Sequence, residues 1–190
     1  MRIIAGTWRG RALANVGKGD AGAHLRPTSD RVRESLFNML AGGRFGDPFT
    51  DANVLDLFAG TGALGLEALS RGAHWAVFVD DGRKAGSLIK ANINALGCDN
   101  CRLIARDATR IPPCDTDPAT LVFLDPPYGK SLGGRALSAA AKGGWLAQNA
   151  LIVWEESAPQ IAPNGFTRLD TRRYGDTHVT VMRFGEKAET

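Results

Sequence analysis

Residues 53–72, NVLDLFAGTGALGLEALSRG, pass from a short apolar run through a glycine-rich turn into a helical pattern. The run NVLDLF (53–58) reads as a buried strand. Gly60, Gly62 and Gly65 follow in G-x-G-x-x-G order and open the helix. Glycines at such a junction permit a tight turn and let the backbone approach a ligand closely, while the helix N-terminus offers unpaired N–H groups. Dinucleotide folds and other nucleoside-cofactor folds share this arrangement, so the loop alone leaves both open. Asp56, at the strand end ahead of the loop, narrows the choice. A carboxylate there suits a cationic ligand group and gains a phosphate nothing.

The same rhythm extends outward from this stretch. WAVFVD (75–80), CRLIA (101–105), LVFLD (121–125) and ALIVWE (150–155) read as further strands, and RKAGSLIKANINAL (83–96) and GGRALSAAAKGGWL (133–146) as helices between them. Short apolar strands alternating with helices predict an α/β fold with a mostly parallel sheet covered on both faces. FTRLDTRRYGDTHVTVMRF (166–184) alternates on either side of YGDT, which predicts a closing antiparallel hairpin and seven strands in all. Ahead of the core, MRIIAG and GRAL read as two short strands, and RPTSDRVRESLFNMLA (26–41) as a helix with Val32, Leu36, Met39 and Leu40 on one stripe. Residues 1–50 form an N-terminal β-hairpin/helix extension in this reading, and residues 51–190 the main domain.

Length and composition fit one globular domain: 190 residues, 44% hydrophobic and 23% charged. No apolar run approaches the roughly 20 residues of a membrane helix, and the start lacks a signal-peptide pattern. The expected location is cytoplasmic, with no membrane partner. Charge is uneven. Residues 1–33 carry seven basic groups against Asp20 and Asp30, whereas the rest of the chain carries 16 basic and 18 acidic groups. A basic head on a mildly acidic body suits a polyanion such as nucleic acid, although a solvated surface gives the same count. Cys98 and Cys101 make a lone C-x-x-C without a second pair, and His24, His74 and His178 are scattered, so no metal is expected.

The acids at strand ends carry the rest of the functional reading. Asp80 ends the second strand, where a carboxylate can accept ribose hydroxyls, and Asp107 follows the third, within reach of an adenine amine. Asp125 ends the fourth strand and is followed by Pro126, Pro127 and Tyr128. Neither proline can donate to a sheet, so the strand stops there. In a doubly wound sheet whose order reverses between strands one and four, this corner lies beside the glycine loop. An exocyclic base amine is a poor nucleophile because its lone pair is delocalised into the ring. Two acceptors aimed at its hydrogens, the Asp125 carboxylate and the Pro126 carbonyl, would localise that pair. Pro127 keeps its peptide from competing as a donor, and Tyr128 can stack on a base extruded from its helix.

The pattern D-x-F-x-G-x-G from Asp56 through Phe58, Gly60 and Gly62, with acids after the next two strands, resembles the class I S-adenosylmethionine-dependent methyltransferases. RPTSDRVRESLFNML, VLDLFAGTGALGLEALSRGA, LDPPY and RRYGDTHVTVMRF together resemble the bacterial small-subunit (16S) ribosomal RNA (guanine-N2)-methyltransferase family over about residues 1–185. The resemblance implies a Rossmann-like fold and S-adenosyl-L-methionine held by Asp56, Phe58, Gly60, Gly62, Asp80 and Asp107. It implies catalysis by Asp125, Pro126, Pro127 and Tyr128, and Arg26, Thr28, Arg31 and Arg33 capping the site or gripping RNA. The partner would be small-subunit ribosomal RNA or an assembling 30S particle; apart from the resemblance, nothing in the sequence suggests an obligate dimer, and a monomer is expected. One departure is DDG from Asp80, where the family usually has glutamate, lysine and aspartate. DNA adenine-N6 or protein glutamine methyl transfer, NAD-dependent oxidoreduction and a non-catalytic RNA chaperone are the alternative readings.

Overall fold

Val54, Leu55 and Leu57 are buried on both sides of their strand, as a central parallel strand requires. In the computed structural model, which describes residues 1–14 and 30–185, this strand is β1 (Asn53–Leu57). It pairs in parallel with β2 (Trp75–Val79) on one side and β4 (Ala119–Leu124) on the other. β3 (Cys101–Ile104) lies outside β2, and β5 (Leu146–Glu156) outside β4, both parallel. β7 (Thr177–Phe184) then adds antiparallel to β5, and β6 (Phe166–Tyr174) antiparallel to β7. The sheet order is β3-β2-β1-β4-β5-β7-β6. The expected mostly parallel, seven-stranded sheet with a C-terminal antiparallel hairpin is therefore observed. Chain order reverses between β1 and β4, which opens a crevice at their carboxyl ends.

Alternating side chains divide the core into two layers. Phe78, Phe123, Val153 and Val179 meet Leu36, Phe37 and Leu40 of α1 (Asp30–Ala41) and Leu66 of α2 (Ala63–Ser70). Leu57, Leu124 and Trp154 meet Ala136, Leu137 and Ala140 of α4 (Leu132–Lys142) on the other face. Gly133 lets α4 lie directly on the Trp154 indole, since a Cβ there would come within 2.3 Å of the ring. α3 (Arg83–Leu96) stops at Gly97, whose φ of 65° is a left-handed helix end.

Two expectations change in detail. The stripe on α1 is turned: Arg33, Leu36, Phe37 and Leu40 are buried, whereas Val32 and Met39 are only half-buried. The two N-terminal strands shrink to one antiparallel bridge, Arg2 with Ala12. The reason is competition for backbone donors. The Ile4 and Ala5 N–H groups go to the Glu67 carboxylate at 2.8 and 3.1 Å, and those of Thr7 and Trp8 to the Ser70 carbonyl and Oγ at 2.8 and 2.9 Å. Gly6 crosses α2 so closely that an added Cβ would sit 1.7 Å from the Ser70 carbonyl oxygen, and its φ is 80°. The described part of the extension is therefore stitched to α2. Residues 26–29, where the helix was expected to begin, lie outside the described residues.

Candidate active site

β1, β2 and β4 end on one level, because Leu57 pairs with both Val79 and Leu124. The next residues, Phe58, Asp80 and Asp125, accordingly share one rim of the sheet. The Asp125 N–H points to the Leu57 carbonyl at 3.4 Å, tying the Asp-Pro-Pro-Tyr corner to the start of the glycine loop. Pro126 is buried, while Asp125, Pro127 and Tyr128 are half-buried.

The loop is held by its acids. Asp56 is 1% exposed, and its Oδ2 accepts the Gly65 N–H at 2.9 Å. Gly65 cannot be larger: a Cβ would meet Phe78 Cε1 at 2.5 Å. Burial pushes the Asp56 carboxyl up to about 8; the Gly65 N–H opposes the shift and the nearby Asp80 charge adds to it. Asp80 accepts the Gly60 N–H at 2.9 Å and the Gly82 N–H at 2.8 Å. Its carboxyl is also raised, first by burial and then by the Asp81 charge, against the two backbone donors. Gly60 and Gly62 have φ of 58° and 76°, and Phe58, a residue with a Cβ, has φ of 61°. Such a backbone state costs a non-glycine residue about 1–2 kcal/mol. Strain of this kind concentrates at functional sites.

A carboxyl raised above its unfolded value of about 3.9 makes the folded state bind more protons between that value and about 8. Stability thus falls as pH rises through this window. Urea midpoints taken from pH 5 to 8 are expected to decline in the wild type and to decline less in Asp56→Asn; equal slopes would show that Asp56 does not carry the effect.

Asp107 stands apart, beyond β3, where its Oδ1 caps a 3-10 turn (Ala108–Arg110) by accepting from the Thr109 N–H and Oγ1, both at 2.8 Å. Burial pushes its carboxyl upward, but the Thr109 hydrogen bonds and the charges of Arg110 and Arg135 outweigh that and leave it below the usual range.

Tyr128 is anchored by its phenol. Its OH donates toward Glu155 Oε1 at 3.2 Å and lies 3.0 Å from Thr177 Oγ1. Burial, with Glu155 and Asp125 adding and Thr177 opposing, pushes the phenol up to about 12. Glu155, 5% exposed, ends an apolar run in the sequence, where it reads as a packing or edge residue rather than a chemical one.

The basic residues separate. Arg31 is exposed on α1. Arg33, expected at an RNA surface, is corrected by burial: its side chain is 1% exposed, it pairs with Asp30 at 2.9 Å and it donates to the Arg2 carbonyl. Burial lowers its pKa, against Asp30 and Glu67. A guanidinium in that position offers no surface to a phosphate. Arg26 and Thr28 lie outside the described residues. Cys98 and Cys101 remain free thiols with their Sγ atoms 3.4 Å apart. Among the described residues no group of three or more His, Cys, Asp or Glu side chains is placed to hold a metal, and no helix is long and apolar enough to cross a membrane.

Comparison with known proteins places this geometry. The family described as Conserved hypothetical protein 95 matches residues 1–183. Ribosomal RNA small subunit methyltransferase D of Escherichia coli K12 is 39% identical over 163 residues, covering 86% of this chain and 78% of that protein. Its namesake from Haemophilus influenzae is 36% identical over 182 residues, covering 92% and 89%. The solved structure of yhhF, a candidate methyltransferase from Escherichia coli, superposes with a TM-score of 0.81 at 35% identity, covering 98% of this chain and 99% of that one. The rim of acids around a glycine loop and the Asp-Pro-Pro-Tyr corner thus sit in a class I methyltransferase fold, and the chain belongs to the bacterial small-subunit ribosomal RNA methyltransferase D family.

Proposed function

We propose that the protein transfers a methyl group from S-adenosyl-L-methionine to the exocyclic N2 amine of one guanine in small-subunit (16S) ribosomal RNA. The observation that carries this reading is the common rim. The carboxyl ends of β1, β2 and β4 set the glycine loop, Asp80 and the Asp-Pro-Pro-Tyr corner on one level beside the crevice. The RNA substrate is taken from the relatives' names.

The cradle fits the cofactor chemically. Asp56 is a buried carboxyl whose burial disfavours its charged form, and a cationic ammonium beside it would favour that form again. Asp80, fixed by two backbone donors, keeps lone pairs for ribose hydroxyls. Phe58, Gly60 and Gly62 would lie along the ligand, and Asp107 near its adenine. When bound, the cofactor supplies an activated methyl on a sulfonium. Everything else is positioning. Asp125 and the Pro126 carbonyl would accept hydrogen bonds from the two amine hydrogens and turn the nitrogen lone pair toward the methyl, and the Asp125 carboxylate would take the one proton the nitrogen sheds once methylated. Pro127 holds that carbonyl, and Tyr128 stacks on the base. Residues 1–50, through Arg26, Thr28 and Arg31, would grip RNA while residues 51–190 carry out the transfer.

The test is transfer of labelled methyl from S-adenosyl-L-methionine to RNA or particles that lack the modification. Label is expected on small-subunit RNA; label only on DNA or only on protein overturns the reading.

A further inference from the structure

Phe123 and Val153 lie in one layer of the core, and Leu124 and Trp154 in the other. Alternation along a strand therefore returns the next residues, Asp125 and Glu155, to the Phe123/Val153 face. Leu124 pairs directly with Trp154, so the two carboxylates follow on neighbouring strands at one level. Neighbouring strands run about 4.8 Å apart. Glu155 is only 5% exposed, and Tyr128 OH, itself set by Thr177, donates toward one of its oxygens. Asp125, Tyr128 and Glu155 form a single corner with a second carboxylate that the transfer chemistry does not call for.

A base amine flanked by one carboxylate and one carbonyl could belong to guanine, adenine or cytosine. The adjacent ring nitrogen tells them apart. Guanine carries N1–H beside its N2 amine, two neighbouring donor groups. Adenine and cytosine carry a bare, accepting nitrogen beside theirs. A second carboxylate rewards the first arrangement and repels the other, and a buried acceptor left without its donor costs binding.

Resting on the guanine-N2 reading above, we propose that Glu155 selects the base, accepting guanine N1–H while Asp125 and the Pro126 carbonyl hold the N2 amine. Tyr128 then has two duties, stacking on the base and keeping the Glu155 carboxylate turned toward it.

The discriminating substrate is RNA with 2-aminopurine in place of the target guanine, since that base keeps the amine and lacks N1–H. Wild-type enzyme is expected to prefer guanine by about 100-fold in kcat/KM. Glu155→Gln, whose amide can turn its NH2 toward the bare N1, should shrink the preference to less than about tenfold, with cofactor affinity unchanged. A merely structural Glu155 would lower turnover on both substrates and leave their ratio alone. An unchanged ratio in Glu155→Gln, or no preference in the wild type, overturns the assignment. If that variant does not fold, Glu155→Asp keeps the charge, shortens the reach by one methylene and is judged by the same ratio. Absence of transfer by wild-type enzyme to guanine RNA overturns the underlying reading instead, and with it this assignment.

Discussion

Asp125→Ala is expected to slow methyl transfer by about 1000-fold, the scale seen when one preorganised electrostatic partner of a reacting group is removed. Affinity for S-adenosyl-L-methionine should stay within a few-fold of wild type. The split follows from position. Asp125 comes one residue after β4, tied by its N–H to Leu57 at the start of the glycine loop, whereas the residues expected to hold the cofactor lie in β1, in the loop and just after β2 and β3. Without the carboxylate the amine loses one of its two acceptors, and its lone pair returns to the ring. Asp125→Asn keeps one acceptor oxygen and should lose less. Single-turnover rates and equilibrium cofactor binding measure the two halves separately. Turnover near wild type in the alanine variant would remove Asp125 from the chemistry.

Glu67→Ala is expected to cost about 3–5 kcal/mol of stability, as breaking a buried ion pair from one side does. That is a large share of the 5–15 kcal/mol that holds a typical domain together. Glu67 is fully buried in α2 and accepts from three donors: the Ile4 and Ala5 N–H groups and Arg71 Nε at 2.8 Å. Alanine leaves all three without their acceptor and unfastens the N-terminal segment from α2. Glu67→Gln, which keeps one acceptor oxygen, should fall between alanine and wild type. Urea denaturation gives the values, and a loss under about 1 kcal/mol for alanine would show that the segment holds by other means.

These two residues also mark how far the sequence can be read. Asp125 stands out because two prolines and an aromatic follow it, a local pattern with a local physical meaning. The parallel strands are legible for a similar reason: burial on both faces turns each into a continuous apolar run, and the glycine loop must follow β1 directly. Glu67 is different. It is the one acid in the apolar helix ALGLEALS; Arg71 is one turn away, but the two backbone N–H groups it holds lie 62 and 63 positions away, and nothing nearby announces them. Asn92 behaves the same way, joining Ala14 to the Thr61 carbonyl inside the glycine loop from a helix face whose other buried residues are Ala85, Ile89 and Leu96. Arg33 reads as surface charge because burial of a guanidinium depends on Asp30 and on the Arg2 carbonyl, a backbone group without a sequence signal. Glu155 gains meaning only once β5 pairs with β4. In each case the side chain takes its place from a long-range polar contact, and periodicity records only apolar ones.

The claim at the centre is that the corner at Asp125 presents an exocyclic amine to the methyl donor. Digesting the labelled RNA to nucleosides and identifying the product by mass tests it most directly. The account predicts N2-methylguanosine from wild-type enzyme and about 1000-fold slower formation of the same product by Asp125→Ala. Label on a ribose oxygen, a ring carbon or a ring nitrogen would contradict it, because two acceptors arranged for an amine's hydrogens have no use there.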